Sequence, residues 1–83
     1  NNRVIMRVEV VSPSGRIFEG DAKSALFPGL AGEFMVLPNH APLISALNKG
    51  EIRIDTGYET KNFNINGGFV EVNQTLVSVC IEL

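Results

Sequence analysis

Two side chains in this sequence could act as a nucleophile and its base, since His40 is the only histidine and Cys80 the only cysteine. A thiol activated by a neighbouring imidazole is a recurring nucleophile in enzymes. No local motif supports such a pair, because Cys80 falls on a predicted final strand in the opposite phase to Val79 and Ile81. We therefore expect Cys80 to be a buried or half-buried structural cysteine rather than a catalytic one.

The acidic residues and glycines add no further catalytic or ligand-binding set. The nine carboxylates mostly alternate with apolar residues, which is typical of a solvated strand face and singles out no pair for acid–base work. One histidine and one cysteine without metal-ligand spacing do not make a tetrahedral zinc site. Residues 28–33 are glycine-rich but lack a lysine and precede a strand, so they predict a turn rather than a phosphate cradle. The sequence predicts no catalytic residue, metal or cofactor.

The loop of residues 38–43, with the sequence PNHAPL, is the least ordinary segment of the chain. Pro38 and Pro42 exclude a helix interior and restrict the conformation of the residues before them. Two interpretations stay open. The loop is either a stiff connection that carries a solvent-exposed His40, or a pre-ordered contact surface whose rigidity lowers the entropic cost of binding a partner.

The elements that must position these residues are predicted to be strands. Apolar residues recur at every second position, and Gly, Pro and Asn interrupt the pattern at short intervals. The strongest hairpin signal is Asn66-Gly67-Gly68, because Asn and Gly tolerate the positive φ of tight turns. Nine or ten strands and no helical spacing favour an antiparallel sandwich or barrel, with residues 1–83 as one domain. The predicted strands cover residues 3–10, 17–19, 22–27, 33–37, 43–47, 51–55, 58–65, 69–72 and 77–83.

Composition narrows the class of partner. The chain has 83 residues, a formal net charge of −2, no tryptophan and seven dispersed basic residues, so it lacks the basic stripe of a nucleic-acid binder. A single cysteine favours a reducing, intracellular setting, because small secreted folds usually carry several disulfides. The longest uncharged stretch, residues 34–48, is too short and too interrupted by proline to cross a bilayer. We expect a protein-binding domain without nucleic acid and without membrane insertion.

The loop that contains His40 and several other segments of the chain resemble the ε subunit of F-type ATP synthases, which is the δ subunit in mitochondria. Residues 32–43, GEFMVLPNHAPL, are similar to that family's G-E and H-A-P-L segment, and residues 67–72, GGFVEV, match a second segment. Lys49-Gly50 before the alternating isoleucines, and Val10-Val11-Ser12 followed by Phe18-Glu19-Gly20, are also similar to the family. The resemblance covers nearly the whole chain, from about Arg7 to Glu82.

The resemblance implies a flattened antiparallel sandwich of about ten strands at the foot of a rotating central stalk. It implies that the domain binds the γ subunit and rests on the polar loops of the membrane c-ring, without catalysis of its own. It implies that Gly32, Glu33 and Phe34 lie near the c-ring and that Ser12 faces γ. His40 and Pro42 would lie close to the junction of γ and the c-ring.

Two further expectations follow from the resemblance. The chain stops at Leu83, so we expect no C-terminal helical hairpin and attribute no inhibition of hydrolysis or nucleotide binding to it. We expect a peripheral location on the cytoplasmic face of the bacterial inner membrane, in preference to a chloroplast thylakoid.

Two other classes of function remain as alternatives. One is a free-standing β-sandwich module that captures a peptide or glycan, and the other is a small hydrolase that uses Cys80 and His40. A stalk subunit must offer a partly apolar sheet face to its neighbour, so apolar residues should also occur in the outward phase of strands. The candidates for this outward apolar surface are Ile5, Val11, Phe18, Met35 and Leu76.

Overall fold

The computed structural model describes residues 5–83, and all the regular elements in this part of the chain are strands. This confirms the predicted all-β class, with nine strands where about ten were expected. Arg3 and Val4, which belong to the predicted first strand, lie outside the described residues. The strands are β1 (Met6–Ser12), β2 (Gly15–Ala22), β3 (Ser24–Gly29), β4 (Gly32–Val36), β5 (Leu43–Leu47), β6 (Gly50–Asp55), β7 (Thr60–Ile65), β8 (Gly67–Val72) and β9 (Leu76–Glu82).

The strands form two layers that are joined by one corner. Hydrogen bonds connect them in the order β2-β1-β9-β8-β5-β3-β6-β7, and β4 pairs with β3 beside this path. The link between β5 and β3 is a single pair, Gly29 with Leu47, so β2-β1-β9-β8-β5 make the first layer and β4-β3-β6-β7 the second. All the pairs are antiparallel except β1 with β9, which are parallel. The described part of the chain is elongated, with principal extents of 39 × 23 × 17 Å.

The core consists of the inward phase of each strand, as the alternation predicts. On β1, Met6, Val8 and Val10 are buried while Arg7 is exposed, and Val77, Val79 and Ile81 of β9 lie beside them. Phe27 is fully buried at the centre of β3. Each fully buried aliphatic or aromatic side chain contributes about 1.5–3 kcal/mol through removal of apolar surface from water. Leu83 was expected on the inward face of the last strand and is instead exposed, because β9 ends at Glu82.

The prediction of a hairpin at Asn66-Gly67-Gly68 is wrong. β7 pairs only with β6 within the described residues, and β8 pairs with β5 and β9, so the three residues carry the chain from the second layer to the first. The backbone N–H of Asn66 donates to the carbonyl of Glu82 at 2.7 Å. Asn66 is a bend and β8 begins at Gly67, so the change of direction was correctly located at Asn66. Turn propensity marks where a chain changes direction, but it does not select the strand that pairs with the returning one.

The limits of a strand differ from the predicted ones where some of the predicted strand residues form a turn instead. The predicted strand 58–65 begins only at Thr60, because residues 56–59 form a turn in which the hydroxyl of Thr56 accepts from the N–H groups of Tyr58 and Glu59. The strand predicted at 43–47 has the same limits in the structure.

Candidate partner-binding surfaces

The first predicted contact segment lies on an edge of the second layer. Within the described residues β4 pairs only with β3, so one side of Gly32, Glu33 and Phe34 has no neighbouring strand. Glu33 is exposed, and Gly32 takes φ = 133° in the tight turn after β3, a conformation that favours glycine. Phe34 is only partly exposed, because its ring packs against Phe27 with centroids 5.6 Å apart. The edge therefore offers a carboxylate and free backbone groups, and its aromatic residue also supports the core.

The second predicted segment, around His40, is a compact loop between β4 and β5. Asn39 adopts φ = 67°, and the N–H of His40 donates to the carbonyl of Leu37 at 3.1 Å. The His40 Nδ1 atom lies 2.7 Å from the carbonyl oxygen of Ala41. Pro42 is exposed, and Leu37 is 52% exposed. The loop is pre-ordered by its own hydrogen bonds, which fits the interpretation of a contact surface as well as that of a stiff connection.

Ser12 is held in the turn between β1 and β2. Its hydroxyl accepts from the N–H of Ser14 at 3.2 Å and donates to the carbonyl of Gly15 at 3.3 Å. Such bonds from a serine to nearby backbone are a common way to stabilise a turn. The side chain is half-buried and stands at the rim of a groove described below.

The structure does not bring the six predicted contact residues into one cluster. Ser12 and Gly32 both lie at the end of the sandwich where Leu47 stands. Ser12 lines the same groove as Leu47. Leu47 pairs with Gly29, which in turn pairs with Gly32. Pro42 precedes Leu43, which pairs with Val72 at the opposite end. His40 also lies toward that opposite end. The six residues thus belong to at least two contact regions.

The hydrolase alternative receives no geometric support. Cys80 is opposite Phe69, which in turn is opposite Ala46, whereas His40 lies in a loop that precedes Leu43. The expectation that Cys80 is buried or half-buried is wrong: its thiol is exposed, because Val79 and Ile81 on either side of it take the inward phase. Among residues 5–83, no group of three or more His, Cys, Asp or Glu side chains could hold a metal ion. Nor does this part of the chain form a helix that is long and apolar enough to cross a membrane.

Apolar residues do occur in the outward phase. Of the five candidates, Ile5 and Met35 are exposed, Val11 and Leu76 are half-buried, and none is fully buried. The assignment of Phe18 to the outward face is wrong, because its half-buried ring is in phase with the buried Ala22 and packs against the core. Sequence reasoning missed Phe69, which is 61% exposed, and Ile44, which is 75% exposed. Phe69 could have been found from the burial of Val70 and Val72, because strict alternation then assigns Phe69 to the outward face.

The missed residue Phe69 lies in an open groove on the outer face of the first layer, which we call the outer groove. Its volume is about 590 Å³. Val11, Cys80, Phe69 and Ala46 form one row across it, since each pairs with the next on the neighbouring strand. The residues that line it are Val11, Ser12, Pro13, Ala46, Leu47, Gly67, Gly68, Phe69, Cys80, Ile81 and Glu82.

A network of ion pairs lies on strands β1 and β2 of the same layer, outside the groove. Arg7 contacts Glu19 at 3.1 Å and Asp21 at 3.3 Å, and Arg16 contacts Glu9 at 2.9 Å and Glu19 at 3.0 Å. The side-chain hydrogen bonds to Glu19 and then to Asp21 raise the pKa of Arg7. Because these groups are exposed, the pairs contribute little stability individually and mainly order the pairing of β1 with β2.

Comparison with known proteins identifies the family. A family model described as "ATP synthase, Delta/Epsilon chain, beta-sandwich domain" matches residues 5–82. The chain belongs to this family. Among curated relatives in the delta/epsilon family, the ATP synthase epsilon chain of Leptospira borgpetersenii is 40% identical over 74 residues, covering 89% of this chain and 58% of the relative. The epsilon chain of Nitratiruptor sp. is 44% identical over 78 residues, covering 93% and 60%. The chain thus spans about three fifths of the length of these relatives.

Solved structures show that the fold of this chain is shared at low sequence identity. A chain in the cryo-EM structure of the Euglena gracilis mitochondrial ATP synthase, described as OSCP/F1/c-ring, superposes with a TM-score of 0.88 at 20% identity. That match covers 98% of this chain and 52% of the other. A chain of the Tetrahymena thermophila mitochondrial ATP synthase, described as central stalk/c-ring, gives a TM-score of 0.82 at 16% identity and covers 94% and 63%.

Proposed function

We propose that this chain is a non-catalytic rotor subunit in the central stalk of a proton-translocating F-type ATP synthase. It joins the γ subunit to the membrane c-ring and supports assembly and the coupling of ATP synthesis to proton flow. The single observation that carries this proposal is the match of residues 5–82 to the delta/epsilon β-sandwich family. The descriptions of the two solved structures, which include a c-ring, support the same setting.

The geometry suits a part that transmits position rather than one that performs chemistry. A rotor component must resist deformation between the two neighbours that it joins. The described chain has a continuous core from Met6 to Ile81 and two layers closed by packing, and such close-packed interiors have low compressibility. Contact residues that stand in turns and on an edge strand can reach partners without disturbing this core, and Ser12, Glu33 and Pro42 occupy such positions.

We assign the predicted contact residues to two partners. Gly32, Glu33 and Phe34 face the polar loops of the c-ring, and Ser12 faces γ. His40 and Pro42 lie close to the junction of these partners. The unpaired edge of β4 and the exposed carboxylate of Glu33 support the first assignment, because an edge strand and a charged side chain suit contact with polar loops.

The location that we propose is peripheral, on the cytoplasmic face of the bacterial inner membrane. The curated relatives described above are from bacteria and are 40–44% identical to this chain. The chains from mitochondrial assemblies share only 16–20% of their residues with it. The higher similarity to the bacterial chains supports a bacterial source.

Site-directed cross-linking in the assembled ATP synthase tests these contacts. In a Cys80→Ser background, Glu33→Cys should form a product with a c-ring subunit and Ser12→Cys a product with γ. Tyr58→Cys is the matched control, because Tyr58 is 87% exposed but is not a proposed contact, and it should form neither product. Absence of both products, with the chain present in the complex, would contradict the assignment of these residues.

A further inference from the structure

Three asparagines stand at alternate positions along β7 and just after it, and the side chains of all three are exposed. Asn62 and Asn64 lie within β7, opposite Arg53 and Glu51 of β6. Asn66 lies in the bend between β7 and β8 and belongs to neither strand. The three side chains therefore meet the same solvent, but of the three only Asn66 lies outside the ladder of strands.

The residue that follows each asparagine also sets Asn66 apart. Asn62 and Asn64 precede the large residues Phe63 and Ile65, whereas Asn66 precedes Gly67. The backbone nitrogen of the following residue can attack the carbonyl carbon of the asparagine side chain, and a side chain on that following residue hinders the approach. Gly67 has no side chain, and without a Cβ it also reaches backbone conformations that other residues avoid. The amide of Asn66 is therefore the one in this series that is open to attack from within the chain.

The place of Asn66 in the fold leaves its side chain free to make this approach. The backbone N–H of Asn66 donates to the carbonyl of Glu82 at 2.7 Å, which holds the main chain but not the side chain. Among the side-chain hydrogen bonds of residues 5–83, none involves the amide of Asn66. Gly67 and Glu82 form the end pair of the β8–β9 ladder, and the end of a ladder opens more readily than its centre.

We propose that Asn66 is a site of spontaneous deamidation in the folded chain. The backbone nitrogen of Gly67 forms a bond to the side-chain carbonyl carbon of Asn66 and gives up its proton. The bond from that carbon to the amide nitrogen breaks, and the amide group takes up a proton through the solvent and leaves as ammonia. Water then opens the resulting succinimide ring at one of its two carbonyl carbons. The products are aspartate and isoaspartate, and water is the only other reactant.

Either product changes the connection between the two layers. The carboxylate of Glu82 stands over Gly67, since a Cβ at Gly67 would lie 3.3 Å from Oε1 of Glu82. A new negative charge at position 66, next to Gly67, is therefore repelled by Glu82. Isoaspartate also lengthens the main chain by one methylene where it passes from the second layer to the first. We expect the modified chain to unfold at a lower temperature than the unmodified chain.

Incubation of the folded chain in mildly alkaline buffer, followed by proteolysis and mass spectrometry with fragmentation, tests the proposal. The mass increase from amide to acid should accumulate at Asn66 at least about 10-fold faster than at Asn62 or Asn64, because a hindered approach slows reactions of this kind. Isoaspartate, detected with an isoaspartyl methyltransferase, should rise in parallel. Asn66→Gln is the matched control. It keeps an exposed amide but lengthens the side chain so that the same ring cannot form, and it should yield no isoaspartate at this position.

The main comparison needs no variant, because Asn62 and Asn64 are controls within the same chain. Equal rates at the three asparagines would overturn the proposal. So would an Asn66 that stays intact in the folded chain and is modified only in urea, since the fold would then protect the bend. Neither result bears on the proposed function, because no partner takes part in the measurement.

Discussion

The rings of Phe18 and Phe63 pack against each other with centroids 6.1 Å apart and planes inclined at 59°. Phe18 is on β2 and Phe63 on β7, the two strands at opposite ends of the hydrogen-bonded path. Their contact brings the free edges of the two layers together, so the sheet curls into a closed sandwich although no backbone hydrogen bond joins these strands within the described residues. A tilted aromatic pair of this kind contributes more than its buried area alone.

Removing this aromatic contact should loosen the closure. Phe18→Ala and Phe63→Ala should each lower the free energy of unfolding by about 1–3 kcal/mol, less than for a fully buried phenylalanine because both rings are partly exposed. A double-mutant cycle in urea should give a coupling of about 0.5–1.5 kcal/mol. Strictly additive effects would show that the two rings do not act together.

A methyl group at Gly68 should be poorly tolerated. A Cβ there would meet the backbone carbonyl oxygen of Cys80 and the Cα of Ile81, which belong to the paired strand and cannot move away. Gly68→Ala should therefore lower the unfolding free energy by about 2–3 kcal/mol, toward the upper end for overpacking. Gly15→Ala is the control for backbone strain alone, since its φ is 127° but nothing lies near the added Cβ, and it should cost about 1 kcal/mol. Equal losses in the two variants would contradict the predicted clash.

Two neighbouring residues of the contact segment on β4 should differ in their effect on stability. Glu33 should serve binding only, whereas Phe34 should also stabilise the fold. Glu33→Ala removes an exposed side chain and should change the unfolding free energy by less than about 0.5 kcal/mol. Phe34→Ala removes the ring that packs on Phe27 and should cost about 1–3 kcal/mol. Thermal unfolding of both variants makes the comparison. A large loss of unfolding free energy for Glu33→Ala would contradict the prediction, because it would mean that this exposed carboxylate stabilises the fold.

The ion pairs of Arg7 should depend on salt but not on pH near neutrality. The pKa of Arg7 is raised, so the stability that its charge contributes is present at all pH values below its ordinary range and is lost only in strong alkali. The difference in unfolding midpoint between the unmodified chain and Arg7→Met should be the same from about pH 6 to pH 9. It should shrink as salt is raised from about 0.05 M to about 1 M, because the groups are exposed. A difference that persists at high salt would indicate packing of the arginine stem instead.

The alternation of residues predicted the core well. Each strand buries one face, so Val8, Val10, Ile52 and Ile54 could be assigned from period two alone. The pairing of strands could not be predicted in this way. Asn66-Gly67-Gly68 has the turn chemistry of a hairpin, yet the chain continues into the other layer because the partners of β7 and β8 are set by contacts distant in sequence.

The candidate site was predictable only in part, for a similar reason. Ser12, Glu33 and Pro42 stand in turns or on an edge, where sequence motifs place them. The outer groove was missed because its row from Val11 to Ala46 is assembled from four strands that are far apart in sequence. Cys80 was expected to be buried or half-buried on the basis of its residue type, whereas its phase in β9 makes it exposed.

The most direct test of the proposed function is the binding of the purified γ subunit to this chain. A tagged form of the chain is immobilised and presented with γ at micromolar concentration, with the catalytic subunits of the synthase as the control ligand. The account predicts retention of γ in a saturable, equimolar complex and no comparable retention of the catalytic subunits. No retention of γ at micromolar concentration, by a chain that unfolds cooperatively and is therefore folded, would contradict the account.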